Sequence, residues 1–278
     1  MTSLIDTHVH IWDPEVNRYD WLEGVLDRAY LPAEYHASSP STTGVVFVEA
    51  GAVDGLAEAR WVASLDWPEL LGIVATAPLE RGAGVAGYLE EVQGISKVVG
   101  IRRLLQDEPL AFFESSELRA GLSALAASGL PFDACIRHHQ LPALTTLLAG
   151  LPELQVVLDH IGKPPVATGD DGTWERNLRA LAALPQVRVK LSGVPPEVDP
   201  DAPVRGQAAP WLAATLDAFG AERCMVASDW PVSAVTPHAL SAGDWLAEVL
   251  ADLRGSAAEQ EQLASGTATE FYNLAAVG

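Results

Sequence analysis

The chain has 278 residues, 49% of them hydrophobic and 19% charged, which supplies a large core and excludes a disordered chain. Its 37 acidic residues against 17 basic ones give a net charge of −20, a surface that repels phosphate backbones and anionic lipid. Nucleic acid and membrane are therefore excluded as partners. No stretch reaches the roughly 20 apolar residues of a membrane span. Cys135 and Cys224 sit in apolar runs outside any Cys-x-x-Cys pattern and read as buried thiols of a cytoplasmic protein without a signal peptide.

The first element is Leu4-Ile5-Asp6-Thr7-His8-Val9-His10-Ile11-Trp12. It alternates as a strand does, so His8 and His10 share a face, where two imidazoles can hold one divalent metal. Taken alone, a His-x-His is as readily a packed or turn-capping pair. Residues 13–41 follow, with three prolines and four aromatic side chains but no helical or strand period, and read as a long packed loop.

A rhythm then sets in. Apolar strands are expected at residues 44–49, 71–75, 98–102, 132–136, 155–160, 187–191 and 224–229. Helices are expected at residues 54–66, 85–92, 116–127, 141–148, 174–184, 208–219, 244–253 and 257–274, with Ser115 or Ser116 capping the third and Gly129 following it. The connections are short except after strands one, six and seven. Continuous β-branched runs mark strands buried on both faces. Eight such units in one chain predict an α/β fold, a (β/α)8 TIM barrel spanning residues 1–278 as one domain. The runner-up, an open doubly wound sheet, lacks a Gly-x-Gly-x-x-Gly after any strand. Trp61, Trp174, Trp211 and Trp245 lie in the helices, packed on the barrel or marking contacts; the oligomeric state is left open.

In such a barrel the active site lies at the C-terminal ends of the strands. There the sequence places His8 and His10, Glu49, Arg102 and Arg103, Arg137-His138-His139, Asp159 and His160 with Lys163, Lys190 and Ser192, and Asp229-Trp230. Charged groups are costly to bury without a purpose, and five of the seven histidines fall at this one end. His8, His10, His160 and Asp229 have the donor types of a zinc-like site with an open position. Glu49 serves either as a substrate contact or as the partner of Arg102. Arg103 alternates away from Arg102, toward the helices. At most one of His138 and His139 faces the site. Lys190 serves in an interior ion pair or on substrate. Asp159 is expected to point away from His160, as a structural acceptor.

The motifs Ile5-Asp6-Thr7-His8-Val9-His10-Ile11-Trp12-Asp13-Pro14, Tyr19-Asp20-Trp21-Leu22, Gly100-Ile101-Arg102, Gly129-Leu130-Pro131-Phe132-Asp133, Leu158-Asp159-His160-Ile161-Gly162-Lys163-Pro164, Val189-Lys190-Leu191-Ser192-Gly193 and Ser228-Asp229-Trp230-Pro231-Val232 run the length of the chain. In this order they resemble the amidohydrolase superfamily, in its amidohydrolase-2 branch, and within it the sugar lactonases of the L-fuconolactonase and L-rhamnono-lactonase type. The resemblance implies hydrolysis of a small sugar-acid lactone. It implies Asp229 as the base that activates water, with His160 as its catalytic neighbour. It implies at most one divalent metal, zinc or manganese, on His8, His10, His160 and Asp229, and metal-free catalysis also occurs in the branch. Arg102, Lys163, Trp230, Trp21, His138 and Glu49 are the expected substrate contacts. A metal-dependent decarboxylase of the same branch is the alternative. Two stretches depart from the lactonase pattern: Ala75-Thr76-Ala77-Pro78-Leu79 and Arg137-His138-His139. The identity of the lactone stays open.

Overall fold

The computed structural model describes residues 3–252 and 255–275. Eight parallel strands pair in sequence order: β1 (Ile5–Val9), β2 (Gly44–Val48), β3 (Leu70–Thr76), β4 (Val98–Leu104), β5 (Phe132–Cys135), β6 (Val156–Leu158), β7 (Val187–Leu191) and β8 (Cys224–Val226). Around them lie α1 (Pro32–Ser38), α2 (Gly55–Ser64), α3 (Ala86–Gln93), α4 (Ser116–Ser128), α5 (Leu141–Ala149), α6 (Thr173–Ala182), α7 (Val204–Phe219), α8 (Ala242–Asp252), α9 (Ala257–Glu261) and α10 (Thr267–Tyr272). This is the (β/α)8 barrel that the pattern of apolar runs predicts.

The barrel closes largely through polar groups, because β8 is only three residues long. Backbone bonds from His10 N to Trp230 O (2.8 Å) and from Asp229 N to His8 O (2.9 Å) join β1 to the segment after β8. The buried Asp6 side chain accepts from Ser228 N (2.8 Å), His8 N (3.2 Å) and the Tyr35 hydroxyl (2.9 Å). Thr7 Oγ1 donates to Val226 O (2.8 Å). The first and last strands of the site are thus fixed to each other before any ligand arrives.

Several expected boundaries are moved. The stretch 13–41 contains α1, whose first residue is Pro32, the position where a missing N–H costs nothing. Ser115 caps α4 by accepting from Leu118 N (3.2 Å), and Gly129 ends it in the left-handed region (φ 79°). The expected final helix is broken into α9, a π-turn over Gln262–Gly266, and α10. The expected residue Leu253 lies outside the described residues. The connection over residues 227–241 is long as well. Strands six and eight stop early, at Leu158 and Val226, because the residues beyond take left-handed conformations.

Trp174 and Trp245 are buried, and each ties a helix to the upper rim. Their indole N–H groups donate to Ile161 O (3.0 Å) and Ala227 O (2.9 Å). Among the described residues, no helix is long and apolar enough to cross a membrane.

Candidate active site

Four side chains converge at the upper mouth of the barrel. His8 and His10 come from β1 and the residue after it. Their shared face is the one the strand alternation predicts, and their Nε2 atoms approach to 3.1 Å. His160 and Asp229 arrive differently. Both have positive φ, 56° and 60°, a region an aspartate tolerates and in which the His160 side chain is held at a cost. Such strain is characteristically held at functional sites by its surroundings. His160 Nδ1 lies 2.9 Å from Ser192 Oγ, and Ser233 Oγ donates to Asp229 Oδ2 (2.7 Å). Gly193 makes room for the His160 ring, since a Cβ there would sit 2.5 Å from its Cγ. Asp229 Oδ1 then faces three imidazole nitrogens: His10 Nε2 at 3.6 Å, His160 Nε2 at 3.8 Å and His8 Nε2 at 3.9 Å.

The proton positions follow from the partners. His10 Nδ1 lies 2.8 Å from Val48 O, which can only accept, so Nδ1 carries a hydrogen and Nε2 is the nitrogen turned to Asp229. His8 Nδ1 lies between Lys190 Nζ (3.2 Å), which can only donate, and Asp159 Oδ1 (3.3 Å), which can only accept. When Lys190 donates, the His8 proton sits on Nε2 and meets His10. When Nδ1 donates to Asp159, Nε2 is a lone pair, open to a metal ion or to Arg102 Nη1 at 3.4 Å. Burial lowers the pKa of His160 to about 4 and that of His8 well below its usual value, against the opposing pull of Asp229 and Asp159, so both rings are neutral at pH 7. Burial also pushes Asp229 up, but His160, the His10 hydrogen bond and His8 outweigh it and hold the carboxylate below its ordinary range.

The donors of His8, His10 and Asp229 fit one divalent ion. Tetrahedral bonds of about 2.0–2.2 Å place neighbouring ligand atoms about 3.3–3.6 Å apart. The separations found among His8, His10 and Asp229, 3.1 to 3.9 Å, bracket that spacing, and His160 Nε2 adjoins the group through Asp229 Oδ1 at 3.8 Å. Asp159 behind His8 Nδ1 and Val48 O behind His10 Nδ1 are the outer partners that such ligands require.

The cavity above this floor has a volume of about 380 Å³. Of the expected residues, His10, Trp21, Arg102, His160, Lys163 and Asp229 line it. His8 lies directly beneath. Glu49 does not line it; its carboxylate receives Arg102 Nε at 2.6 Å and its carbonyl receives Nη2, so the structure realises the ion-pair alternative. Trp230 is also absent from the lining, buried with its ring 5.6 Å from both Tyr30 and Tyr35. His138 stands behind the wall, its Nδ1 3.0 Å from Lys163 O, and His139 is exposed. Arg103 points outward to Glu80 and Glu108.

Asp159 requires a correction. It was expected to face away from His160, but it points into the barrel with Val157, because the left-handed turn at residue 160 brings both side chains to the same side. Lys190 joins it as an interior ion pair. The cavity walls add Trp12, Gln106, Cys135 and Pro196, which were not expected there. Trp12 was available from the sequence, since residues 8, 10 and 12 share one face. Cys135 is buried as expected but also reaches the cavity.

The chain matches the amidohydrolase family over residues 5–274. It is 34% identical to an L-fucono-1,5-lactonase of Burkholderia multivorans, covering 97% of this chain and 96% of that one. An L-rhamnono-gamma-lactonase of Scheffersomyces stipitis is 23% identical over 84% of this chain and 86% of its own length. Among solved structures, an amidohydrolase from Burkholderia multivorans with bound zinc superposes with a TM-score of 0.86, at 32% identity over 98% of this chain and 100% of that chain. With the fold and nearly the whole length in agreement, this chain belongs to the amidohydrolase family.

Proposed function

We propose that this protein hydrolyses a sugar-acid lactone. The observation that carries the reading is the Asp229 carboxylate, held within 3.6 to 3.9 Å of three imidazole nitrogens at the floor of the cavity. Its support is the resemblance over nearly full length to proteins named as sugar lactonases.

In this reading Asp229 takes the proton of the attacking water and returns it to the ring oxygen as the ester opens. Ser233 fixes the carboxylate for that role through Oδ2, leaving Oδ1 for the water. A divalent ion on His8, His10, His160 and Asp229, zinc or manganese, would acidify water and polarise the ester carbonyl. That help matters for a carboxylate of low basicity such as Asp229. In the metal-free version, Arg102 Nη1, 3.4 Å from His8 Nε2, and the histidine N–H groups donate to the carbonyl oxygen instead.

Lys163, held at 2.5 Å from Gln106 Oε1, orients substrate hydroxyls from the opposite wall. Trp12 and Trp21, with ring centroids 5.3 Å apart, offer an apolar face to the sugar ring. His138, Glu49 and Trp230 act by holding Lys163, Arg102 and the β8 rim. The free buried thiols agree with a reducing compartment, and we place the protein in the cytoplasm.

The test is a panel of sugar-acid lactones followed by acid release, on protein as purified and after chelation, with metal content read in parallel. Acid release from at least one lactone is the expected result. Loss on chelation with recovery on adding zinc or manganese assigns the ion. Activity that survives in metal-free protein assigns the polarising role to Arg102 and the histidines. Release of CO₂ from unsaturated or aromatic acids, with no lactone turned over, would replace the proposal by a decarboxylase.

A further inference from the structure

The lower half of the barrel interior is filled by the end of the chain. Ala268, Phe271 and Tyr272 of α10, with Leu274, pack against Ile5, Val46, Val48, Val74, Val157 and Met225. Two glycines leave the space. A Cβ at Gly72 of β3 would stand 2.5 Å from Val99 Cγ2 and 3.2 Å from Leu274 Cδ2, and one at Gly100 of β4 would stand 3.3 Å from Tyr272 Cε1. Small barrels usually fill this layer with strand side chains. Here the strands omit them and the C-terminal helix supplies a phenol ring.

That ring carries a hydroxyl, which space-filling alone does not require. A phenylalanine would occupy the slot without burying a polar group. The Tyr272 hydroxyl donates to Asp133 Oδ2 at 2.8 Å. Lys190 Nζ donates to the same oxygen at 2.5 Å, lies 3.1 Å from Asp159 Oδ1, and reaches His8 Nδ1 at 3.2 Å. Asp133, Lys190, Asp159 and His8 are all fully buried. Asp133 Oδ1 has no hydrogen-bond partner, so Tyr272 and Lys190 alone orient that carboxylate. The ammonium hydrogen-bonds Asp133 Oδ2 and His8 Nδ1 and pairs with the Asp159 carboxylate, and these three contacts set its position.

We propose that Tyr272 is a positioning residue for the active site: the C-terminal helix, through Asp133 and Lys190, sets the orientation of the His8 ring. The bottom of the barrel is thereby mechanically joined to its catalytic mouth. Removing the hydroxyl frees the Asp133 carboxylate to rotate, Lys190 follows, and the contacts at His8 Nδ1 are no longer unique. His10 Nδ1 is tied separately to Val48 O, and His10 meets this path only through its Nε2, 3.1 Å from His8 Nε2.

The test compares Tyr272→Phe, which keeps the ring in its slot, with Leu274→Ala, which loosens the same plug without touching the polar chain. The readout is the ¹⁵N signals of the histidine rings in the protein as purified, which needs no substrate. In Tyr272→Phe the His8 signals are expected to move or split while that of His10 Nδ1, fixed on Val48 O, stays in place; Leu274→Ala leaves both unmoved. Asp133→Asn enters the chain from its other side, should move the same His8 signals, and decides the matter if Tyr272→Phe fails to fold. Unmoved His8 signals in the folded variant, or an equal displacement in Leu274→Ala, would overturn the proposal. On any lactone that the wild-type protein hydrolyses, Tyr272→Phe should lower kcat roughly tenfold, the size of effect typical of outer partners, and leave KM within about twofold. An unchanged kcat would overturn it as well. Failure of the wild-type protein to hydrolyse any lactone is a separate result that bears on the lactonase reading, and the ring signals still decide the role of Tyr272.

Discussion

Replacing Asp229 by asparagine separates chemistry from structure at this site. The side chain keeps its shape, and its amide oxygen still accepts from Ser233 Oγ, now 2.7 Å from Oδ2. The backbone bonds from Asp229 N to His8 O and from Ser233 N to Asp229 O are untouched. The residue sits at φ 60°, where asparagine is among the best tolerated side chains. Folding stability should therefore change by no more than about 1–2 kcal/mol, a hydrogen bond's worth. What is lost is the charge facing the three Nε2 atoms, and with it the proton acceptor. General-base assistance is worth about 10²–10⁴-fold, or roughly 3–5 kcal/mol of barrier. Acid release at saturating lactone should fall by at least about 10²-fold while the thermal transition stays within a few degrees. A folded Asp229→Asn protein turning over within about fivefold of the wild type would show that the proton goes elsewhere.

Other perturbations follow from the same geometry. Lys190→Met leaves Asp133 and Asp159 buried without their ammonium, 2.5 and 3.1 Å away, and should destabilise the fold by about 3–5 kcal/mol in chemical denaturation. A loss under about 1 kcal/mol would mean that the carboxylates find another cation. Gly193→Ala should cost at least about tenfold in kcat, because φ is 64° there and the new Cβ displaces the His160 ring; an unaltered kcat would contradict the placement of that ring. Acid should weaken the fold through His160. Its unfolded form takes a proton below about 6.5 whereas burial holds the folded form neutral down to about 4. The unfolded chain binds more protons in that window, so this contribution is complete above pH 6.5 and about 3 kcal/mol of it is lost by pH 4. His160→Gln should flatten the slope of stability against pH, and an identical slope in the two proteins would refute the assignment.

Much of this molecule could be read from its residues because the signals were local. Runs such as Val45-Val46-Phe47-Val48 and Val156-Val157-Leu158 are strands buried on both faces, and their repetition with helical segments fixes the barrel. His8 and His10 followed from strand alternation alone. The reading broke where the backbone leaves the strand. His160, Ile161, Lys163 and Asp229 all have positive φ, so alternation counted back from a site-facing His160 sent Asp159 to the wrong side. Helix α1 was missed because its seven residues bury mainly Tyr35, too few for a period. The role of the chain's end was invisible for a different reason. It depends on Gly72 and Gly100 facing inward at one level of the barrel, a coincidence between distant residues that no local pattern records.

The central claim is that water, activated at Asp229, attacks the carbonyl carbon of a lactone. Hydrolysis in ¹⁸O-labelled water, with the product analysed by mass spectrometry, tests it directly. The account predicts one labelled oxygen, located in the new carboxylate, with none in the hydroxyl released from the ring and no CO₂. Label in the hydroxyl, or CO₂ in place of an acid, would contradict it.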